Sequence, residues 1–400
     1  MKKIDKSIPA KRITPTDGHY FFGYYDLQPF DVSGRYHLTH KSTFMDRLHE
    51  RGDTCEIGMI DIDSGNYEYL ETTRAWNFQQ GAMLQWNPKA PDREIIYNDM
   101  VDYSHVGVVM DVFTGKKRFL ERPVANVSPD GKYALSINMS RLYNFRPGYG
   151  YAEPSDPFYY HNHHKDDGVF LIDMETGKSK LILSLDELWD FSGSFFSGDE
   201  KMVINHINFN TDGSRFVMLL RNFPPKGGGS HKTALITASR EGDDLYLLSD
   251  YGVQSHYFWI NPEQMVIFAG GKELKCGCGW GNNFILTDKS HEGYLLADGC
   301  FWADNHMSFS PDRKLMLTDS YPDPKTRMST VQIYNPEKNI DVELGRFYSV
   351  PVSTTDIRCD LHPRWNRSGD KVTFDSTHEG FRGVYSIDLP ENIMKTLFDD

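Results

Sequence analysis

Short runs in which apolar and polar residues alternate make up most of this chain, and polar turns separate them. The run "VSPDGKYALSI" at residues 127–137 shows the form: a strand end, a turn rich in Pro, Asp and Gly, and then an alternating strand. Alternation with a period of two is typical of β-strands, and Pro, Asp and Gly favour the turns between them. The same form stands at six further places: "FDVSGRYHLTH" (30–40), "WNPKAPDREIIYND" (86–99), "FNTDGSRFVMLL" (209–220), "WINPEQMVIFA" (259–269), "FSPDRKLMLTD" (309–319) and "WNRSGDKVTFD" (365–375).

A second hairpin follows each of these turns, as in "VGVVMDVFTGKKRFL" and "GVFLIDMETGKSKLIL". Units of four antiparallel strands, repeated at intervals of roughly 45–55 residues, predict an all-β fold, a seven-bladed β-propeller. A double β-sandwich is the alternative, but it would not explain seven equivalent turns. We expect one domain over residues 1–400, with a long loop inserted in blade three at about 140–167.

Four histidines stand at the same point of this repeat, three residues before an aromatic. They begin the segments "HINF" (His206), "HYFW" (His256), "HMSF" (His306) and "HPRW" (His362), at spacings of 50, 50 and 56 residues. Because the first strand of each blade lines the central channel, we expect the imidazoles at one height around the axis, where they would hold a divalent metal. Hydrogen bonding between strands, without a metal, is the alternative. Nearby candidates for further ligands are Asp360, Asn305, Asn208 and Asn205.

The loops that join second to third strands gather at one mouth of the channel, on the face opposite the Pro/Asp/Gly turns. Candidate functional residues in these loops are His40, Asn98, His105, Arg141, Tyr143, Arg146, Arg221, Cys276 and Cys278, with the segments "DSYPD" (319–323) and "DSTHEG" (375–380). Guanidinium groups pair with carboxylates and aromatic rings stack on sugars, so this set suits an acidic sugar. One thiolate of the C-x-C pair reaching the metal would favour zinc; otherwise both cysteines are ordinary buried residues.

Composition limits the classes of function. With 39% hydrophobic residues and 25% charged residues of mixed sign, the chain has enough apolar side chains for a packed core. Its net charge of −13 argues against a nucleic-acid partner. No apolar run follows the N-terminal lysines and no stretch reaches about 18 apolar residues, so we expect neither a secretory signal nor a membrane span. Five cysteines fit a reducing compartment, and we expect a cytoplasmic protein.

The chain resembles the propeller polysaccharide lyases, above all the cytoplasmic oligogalacturonate lyases and the related ulvan lyases. The resemblance covers nearly the whole length and includes "HYFFGYYD" (19–26), "HINFN" (206–210), "SHYFW" (255–259) and "DLHPRWNRSGDKVTFDSTHEG" (360–380). It implies a propeller whose channel histidines hold a metal, and cleavage of short uronate oligomers by β-elimination. Oligogalacturonate lyases have H-x-H-W where this chain has Asp360 before His362. Ulvan lyases have second-blade histidines where it has Gln79, Gln80 and Asn98.

The resemblance also implies roles for residues. β-Elimination removes the proton on C5, next to a carboxylate that must first be neutralised, and expels the C4 oxygen. We expect a divalent metal, Mn or Zn, on His206, His256, His306 and His362 to neutralise it, together with Arg141, Arg146, Arg221 or Arg358. Tyr143 is the predicted acid or base, and His40, His105 and His378 are the alternatives for the base. The residues predicted to bind the substrate, an acidic oligosaccharide, are Gln80, Asn98, Arg358, Tyr321 and His378.

Two other functions fit the same sequence. One is a non-catalytic or glycosidase-type propeller that binds acidic sugars and keeps a structural metal. The other is an interaction platform, as many propellers are. Nucleotide-binding, nucleophile-elbow and zincin motifs do not occur in their proper context, so the sequence gives no support to those classes.

Overall fold

The computed structural model of the protein describes residues 1–192, 199–224, 231–249, 252–270 and 281–398, without the side chains of residues 298 and 299. Within these ranges the strands form seven sheets, each built on four antiparallel strands in meander order, and one sheet has a fifth, parallel strand. The predicted all-β, seven-bladed β-propeller is therefore confirmed. Cys276 and Cys278 lie outside the described residues.

Blades one to four follow one another along the chain, each from its inner to its outer strand. Their strands are β3 (His19–Phe21), β4 (Tyr36–Ser42), β5 (Cys55–Asp61) and β6 (Tyr67–Thr73); β7 (Gln85–Trp86), β8 (Glu94–Val101), β9 (Ser104–Asp111) and β10 (Lys117–Leu120); β11 (Asn126–Val127), β12 (Tyr133–Ser136), β13 (Gly168–Asp173) and β14 (Ser179–Ser184); and β15 (Lys201–Phe209), β16 (Arg215–Phe223), β17 (Lys232–Ser239) and β18 (Tyr246–Ser249).

Blades five to seven complete the ring, and the N-terminus supplies two further strands. The strands are β19 (Val253–Trp259), β20 (Gln264–Gly270), β21 (Asn282–Thr287) and β22 (Gly293–Leu295); β23 (Met307–Phe309), β24 (Met316–Asp319), β25 (Met328–Asn335) and β26 (Ile340–Tyr348); and β27 (Arg364–Trp365), β28 (Lys371–Ser376) and β29 (Gly383–Asp388), with β1 (Lys2–Asp5) and β2 (Lys11–Arg12). Strand β2 pairs antiparallel with β29 as the fourth strand of blade seven, and β1 pairs parallel with β26 on blade six. The N-terminus thus closes the ring against the last blade. That residues 1–400 form a single domain stays a prediction.

In the described ranges, three short helices lie between or beyond the strands: α1 (Met139–Phe145), α2 (Leu185–Ser192) and α3 (Glu391–Phe398), with 3₁₀ turns at Leu296–Gly299 and Thr355–Ile357. Helix α1 begins the long segment that the sequence places in blade three, between β12 and β13. Asn138 caps it, because its side chain accepts a hydrogen bond from the backbone N–H of Arg141. None of the described helices is long and apolar enough to cross a membrane.

Neighbouring blades pack face to face through apolar side chains. In β8, Ile95 and Tyr97 belong to one core cluster, while Ile96 between them belongs to another with Ala134 and Ile172 of blade three. Successive side chains of a strand point to opposite faces, so a strand covered on both sides is apolar at consecutive positions. This arrangement fixes the blades around a central channel.

The two ends of the channel differ in their connections. In an antiparallel meander the turns from first to second strands lie at one end and the loops from second to third strands at the other. We call the first end the turn face, with turns at residues 129–131, 211–214, 311–314 and 366–370, and the second end the loop face.

Candidate active site

The four histidines of the repeat come together in the channel. His206 has a left-handed backbone (φ 51°) and interrupts the pairing of β15 with β16. His256 lies in the corresponding interruption between β19 and β20. His306 directly precedes the first strand of blade six, and His362 stands two residues before that of blade seven and again has a positive φ of 42°. A bulge re-aims the side chain that it inserts, and here it turns the imidazoles toward one another.

Their rings form a continuous arc. The ring centroids are 5.8 Å apart for His206 and His256, 4.1 Å for His256 and His306, and 4.2 Å for His306 and His362. All four side chains are buried. The alignment of the repeat therefore correctly predicts which histidines meet.

Hydrogen bonds at Nδ1 fix the orientation of two of these rings. Nδ1 of His306 lies 3.0 Å from both carboxylate oxygens of Asp319, and Nδ1 of His362 donates to the carbonyl oxygen of Gly23 at 2.8 Å. The Nε2 atoms of both rings are buried and have no hydrogen-bond partner among the described residues. An imidazole that donates through Nδ1 presents the lone pair of Nε2, and this is the usual orientation of a histidine that binds a metal.

Asp360 completes a set of three ligand atoms. A carboxylate oxygen of Asp360 and one nitrogen each of His306 and His362 lie within 4.8 Å of one another, and no other such group of His, Cys, Asp or Glu is found in the described ranges. Arg358 holds the Asp360 carboxylate through two hydrogen bonds of 2.5 and 2.9 Å. Two imidazoles and a carboxylate suit a divalent metal such as Mn or Zn. These residues therefore fit the metal implied by the resemblance, although Asp360 replaces a histidine.

His256 has a different partner. Its Nδ1 lies 3.0 Å from Oδ1 of Asp304, and Ser255 donates to the same carboxylate at 2.7 Å. Burial lowers the pKa of His256, and Asp304 opposes this effect. Burial also acts to lower the pKa of His306, but Asp319 and Asp360 outweigh it and the pKa is raised. His256 is thus the ring of this pair that more readily stays neutral and able to accept a proton.

His206 lies on the opposite side of His256 from the three-ligand group. The hydroxyl of Tyr24 is 2.8 Å from Nδ1 and 2.9 Å from Nε2 of His206, and Nε2 of Gln80 is 3.3 Å from Nδ1. Burial raises the pKa of Tyr24 well above its usual value. His206 therefore already has polar partners, whereas His306 and His362 offer free nitrogens.

Two arginines give the loop face a positive centre. Arg146 lies over the ring of Tyr149, with Cζ 4.6 Å from the centroid, and Tyr149 is 5.3 Å from the ring of His206. Burial and, next to it, the charge of Arg146 together lower the pKa of Arg221 to about 9. Neither arginine forms an ion pair with a carboxylate in the described part of the chain. Like charges held close together without a counter-charge favour binding of an anion.

Tyr321 and Arg358 border the cluster. The ring of Tyr321 lies 5.4 Å from His306 and 6.3 Å from His256, and Cζ of Arg358 lies 4.3 Å from its centroid. Burial raises the pKa of Tyr321 well above its usual value. Its hydroxyl therefore stays protonated at neutral pH and able to donate a hydrogen bond.

Comparisons with known proteins identify the fold. No protein-family model matches the sequence, and no curated protein matches it. An oligogalacturonate lyase from Vibrio parahaemolyticus matches with a TM-score of 0.66 at 14% identity, over 96% of this chain and 95% of that one. An oligogalacturonate lyase in complex with manganese matches with a TM-score of 0.68 at 15% identity, over 99% and 100%.

This chain has the fold of the oligogalacturonate lyases. The resemblance stated from the sequence is thereby confirmed for the fold. The tricorn protease also contains a similar propeller, with a TM-score of 0.51 at 10% identity, but the match covers only 34% of that chain. The matches to the two oligogalacturonate lyases, by contrast, cover at least 95% of this chain and of the matched chain.

Two predicted catalytic residues of the blade-three insertion do not reach the cluster. Arg141 is buried, and its guanidinium donates to the carbonyls of Met202, Phe158, His161 and Asn162. Tyr143 donates its hydroxyl to the carbonyl of His49. These contacts hold the insertion in place, so we assign both residues a structural role in this oligogalacturonate lyase fold.

The remaining predicted residues also make structural contacts. His40 donates through Nδ1 to the carbonyl of Phe22 and accepts the backbone N–H of Ala82 at Nε2, which leaves no nitrogen to act as a base. The Asn98 amide bonds both backbone groups of Val124 and the Tyr151 hydroxyl. The other two predicted histidines lie apart from the cluster: His378 beside Ser376 and Tyr385, and His105 beside Glu153 and Tyr151.

Sequence reasoning gave no individual role to several residues of the site, although Asp319 begins the candidate segment "DSYPD" (319–323). Asp304 stands two residues before His306, and Tyr24 and Tyr25 lie in the segment "HYFFGYYD". Asp319 accepts the backbone N–H groups of both His306 and His362. A signal for it exists, because "TDS" in blade six and "FDS" in blade seven place an aspartate at the same point of the repeat. In blade seven that aspartate is Asp375, which accepts backbone N–H groups of Phe22 and Gly23.

Proposed function

We propose that this protein is a metal-dependent lyase that cleaves uronate-containing oligosaccharides by β-elimination. The observation that carries the proposal is the convergence of three sets of side chains within one buried cluster. These are the three-ligand group of His306, Asp360 and His362, the Asp304–His256 pair, and the guanidiniums of Arg146 and Arg221. Arg221 contacts His231 at 2.7 Å, but neither arginine has a carboxylate partner among the described residues. The similarity in fold to oligogalacturonate lyases supports it.

Recognition of the uronate carboxylate falls to the two arginines. Arg221 is buried and Arg146 lies close enough for their positive charges to repel each other. A carboxylate placed between them would be attracted to both guanidiniums and would offset this repulsion. A divalent cation on His306, Asp360 and His362 would withdraw charge from the same carboxylate and make the adjacent C5–H bond more acidic. Arg358 keeps the Asp360 carboxylate oriented toward this group.

Proton abstraction is assigned to His256. Because Asp304 accepts from Nδ1, Nε2 of His256 is the nitrogen that takes the C5 proton, and Asp304 then stabilises the imidazolium. The electrons of the C5–H bond form the C4–C5 double bond, and the C4–O bond breaks. The departing oxygen needs a proton, and the Tyr321 hydroxyl beside His256 is the donor that we assign. His206 with Tyr24 and Gln80 forms the adjoining wall of the substrate site.

The partner is thus an acidic oligosaccharide. A cytoplasmic location, like the absence of nucleic-acid and membrane partners, stays a prediction. Non-catalytic binding of acidic sugars through the same residues is the competing function.

A direct assay separates the two. Purified protein is incubated with oligogalacturonates, ulvan fragments and glucuronate-rich oligosaccharides, and the ultraviolet absorbance of 4,5-unsaturated uronate is followed with and without chelator. We expect unsaturated product that disappears on chelation and returns with Mn²⁺ or Zn²⁺. Binding without unsaturated product on any of these substrates would show the competing function.

The metal is tested separately by elemental analysis. We expect a divalent metal in the wild type and its loss from the His306→Ala, His362→Ala double variant. His291→Asn changes an exposed histidine outside the cluster and is the matched control. Equal metal content in all three proteins would refute the three-ligand site.

A further inference from the structure

The turn face, opposite the candidate active site, has a cavity of its own. Its volume is about 300 Å³, and it is lined by the aromatic rings of Phe258, Phe309 and Trp365 and by Ser308. We call it the turn-face cavity. Volumes from roughly 300 Å³ upward are typical of sites for small ligands.

Buried hydrogen-bonding atoms in and beside this cavity lack protein partners. The indole N–H of Trp365 and the hydroxyl of Ser308 are both buried in the wall and unbonded within the described ranges. The indole N–H of Trp259 is also unbonded and lines an adjoining cavity of about 170 Å³. Buried polar groups normally have partners, so two unbonded donors in the wall of the turn-face cavity, and a third at the adjoining cavity, indicate a ligand with acceptor atoms.

The repeat provides an internal comparison. Trp86 stands at the position of blade two that corresponds to Trp365 in blade seven, as "WNPKAPD" and "WNRSGD" show. Its indole N–H donates to the carbonyl of Pro29 at 3.0 Å. At this position of the repeat, the indole N–H therefore can find a partner within the protein, as Trp86 does. The indole N–H of Trp365, beside the turn-face cavity, has no such partner among the described residues.

The charges at this cavity favour an anion. Three arginines line it: Arg313, Arg364 and Arg367. Arg364 forms an ion pair with Asp375. Arg313 and Arg367 make hydrogen bonds only to backbone carbonyls and have no ion pair with a described carboxylate.

One acidic side chain also lines the cavity. Asp26 accepts a hydrogen bond from Asn208 through Oδ2, while Oδ1 is unbonded. Burial raises the pKa of Asp26 to about 6. Below that pH most of its carboxyl groups are protonated and uncharged, so they repel a bound anion less. Its free oxygen is also an acceptor for a ligand hydroxyl. The cavity thus offers guanidiniums for an oxyanion, neutral donors, and one acceptor.

We propose that the turn-face cavity is a second, non-catalytic binding site for a small sugar anion, in which Arg313 and Arg367 bind a carboxylate or phosphate group and Trp365 and Ser308 donate to its hydroxyl oxygens. It does not depend on the proposed lyase activity. Tyr25 lines this cavity, and its ring lies 5.3 Å from that of His306. Neither loop-face arginine lines it, so it can bind such a ligand while those arginines hold a substrate carboxylate.

Calorimetric titration tests the site with defined probes: monomeric galacturonate, glucose 6-phosphate, and neutral galactose. Monomeric galacturonate has no glycosidic bond at C4, so its binding is measured without turnover. We expect one of the two anions to bind, which identifies the carboxylate or the phosphate as the preferred group, and galactose to bind at least about tenfold more weakly.

Variants locate the binding. Arg313→Gln and Arg367→Gln should each weaken it by about tenfold or more. Trp365→Phe keeps an aromatic six-membered ring, removes the five-membered ring with its indole N–H, and should also weaken binding. Lys314→Gln makes the same charge change in the same turn but lies outside the cavity, and it should bind as the wild type does.

The loop face is the alternative location. In the Arg146→Gln, Arg221→Gln double variant, binding of the small anion should persist if the turn-face cavity holds it. Binding that is lost there and kept in Arg313→Gln and Arg367→Gln would overturn the proposal. The proposal would also be overturned if neither anion bound, or if galactose bound as tightly as the anions. Trp365→Phe decides the matter if an arginine variant fails to fold.

Discussion

At the scale of single residues, the site depends on which ring nitrogen of each histidine is already engaged in a hydrogen bond. His256, His306 and His362 all engage Nδ1, with Asp304, Asp319 and the carbonyl of Gly23 respectively. Each ring then presents Nε2, and the partner of Nδ1 distinguishes their roles. A backbone carbonyl leaves the imidazole neutral, whereas a carboxylate also stabilises its charged form.

Asp319 is predicted to control the affinity for metal. Its carboxylate contacts Nδ1 of His306 and the backbone N–H groups of His306 and His362. Asp319→Asn should lower metal affinity by about 10–100-fold, since it replaces one of the two acceptor oxygens by an amide NH₂ and removes the negative charge beside the ligand ring. The dissociation constant for Mn²⁺ or Zn²⁺ is measured by competition with a chromogenic chelator. Asp304→Asn is the matched control and should leave the affinity unchanged; equal losses in both variants would contradict the assignment.

His256 is predicted to serve as the base. His256→Gln should lower kcat by about 100-fold or more with little change in metal content, because it removes proton transfer and not a ligand. Initial rates of unsaturated product, together with elemental analysis, check this. His291→Asn should retain wild-type rates. A His256→Gln variant that keeps its activity would move the base to another residue.

At the scale of elements, bulges and one tight loop position the side chains of the site. His206 and His256 leave strand pairing at bulges, and the loop from Asn77 to Gly81 places Gln80 against His206. The side chain of Asn77 holds this loop by accepting the backbone N–H groups of Gln79 and Gln80. His40 packs behind the loop and accepts the N–H of Ala82. The histidine that the sequence predicts as catalytic thus positions a wall of the site.

Gly81→Ala tests this loop. Gly81 has a φ of 60°, and a methyl group there would overlap the imidazole of His40. We expect a loss of about 2–4 kcal/mol in the free energy of unfolding, from left-handed strain plus overpacking. Gly65→Ala has a similar φ of 72° with open space around it, and should cost about 1–2 kcal/mol from strain alone. Urea denaturation measures both; equal losses would show that the contact with His40 does not constrain the loop.

At the scale of the whole molecule, buried neutral histidines make the fold sensitive to acid. Burial lowers the pKa of His37 to about 3 and that of His40 to about 4. In an unfolded chain both would titrate near about 6.5. Below that pH the unfolded chain binds more protons than the folded one, so the free energy of unfolding falls as the pH falls.

Urea denaturation at about pH 7 and about pH 5 measures this effect. Each of the two histidines should contribute a loss of about 2 kcal/mol over that interval. His37→Gln should be less stable overall but should lose about 2 kcal/mol less than the wild type between the two pH values. His291→Asn, at an exposed position, should show the wild-type difference. An unchanged difference in His37→Gln would mean that its burial does not govern acid sensitivity.

The sequence alone was enough to predict the propeller, because the pattern that specifies a blade is local and repeated. Alternation with a period of two and the Pro/Asp/Gly turns depend only on neighbouring residues. The four histidines could also be grouped, since equivalent positions of a repeat occupy equivalent places around the axis. Gln80, Arg146, Arg221, Arg358 and Tyr321 were predicted for the site and lie in or beside the cluster.

Only the tertiary structure decided which of these groups can act. Arg141 and Arg221 look alike in sequence, yet one donates to three carbonyls of its own insertion and one of β15, and the other is buried without a carboxylate partner among the described residues. His40 and His256 differ in the same way, through partners distant along the chain. Whether a polar group is free or already bonded depends on contacts across blades. Those contacts are set by packing and not by local pattern. The sequence therefore included His306, Asp360 and His362 among its candidate ligands, but only the structure singled these three out.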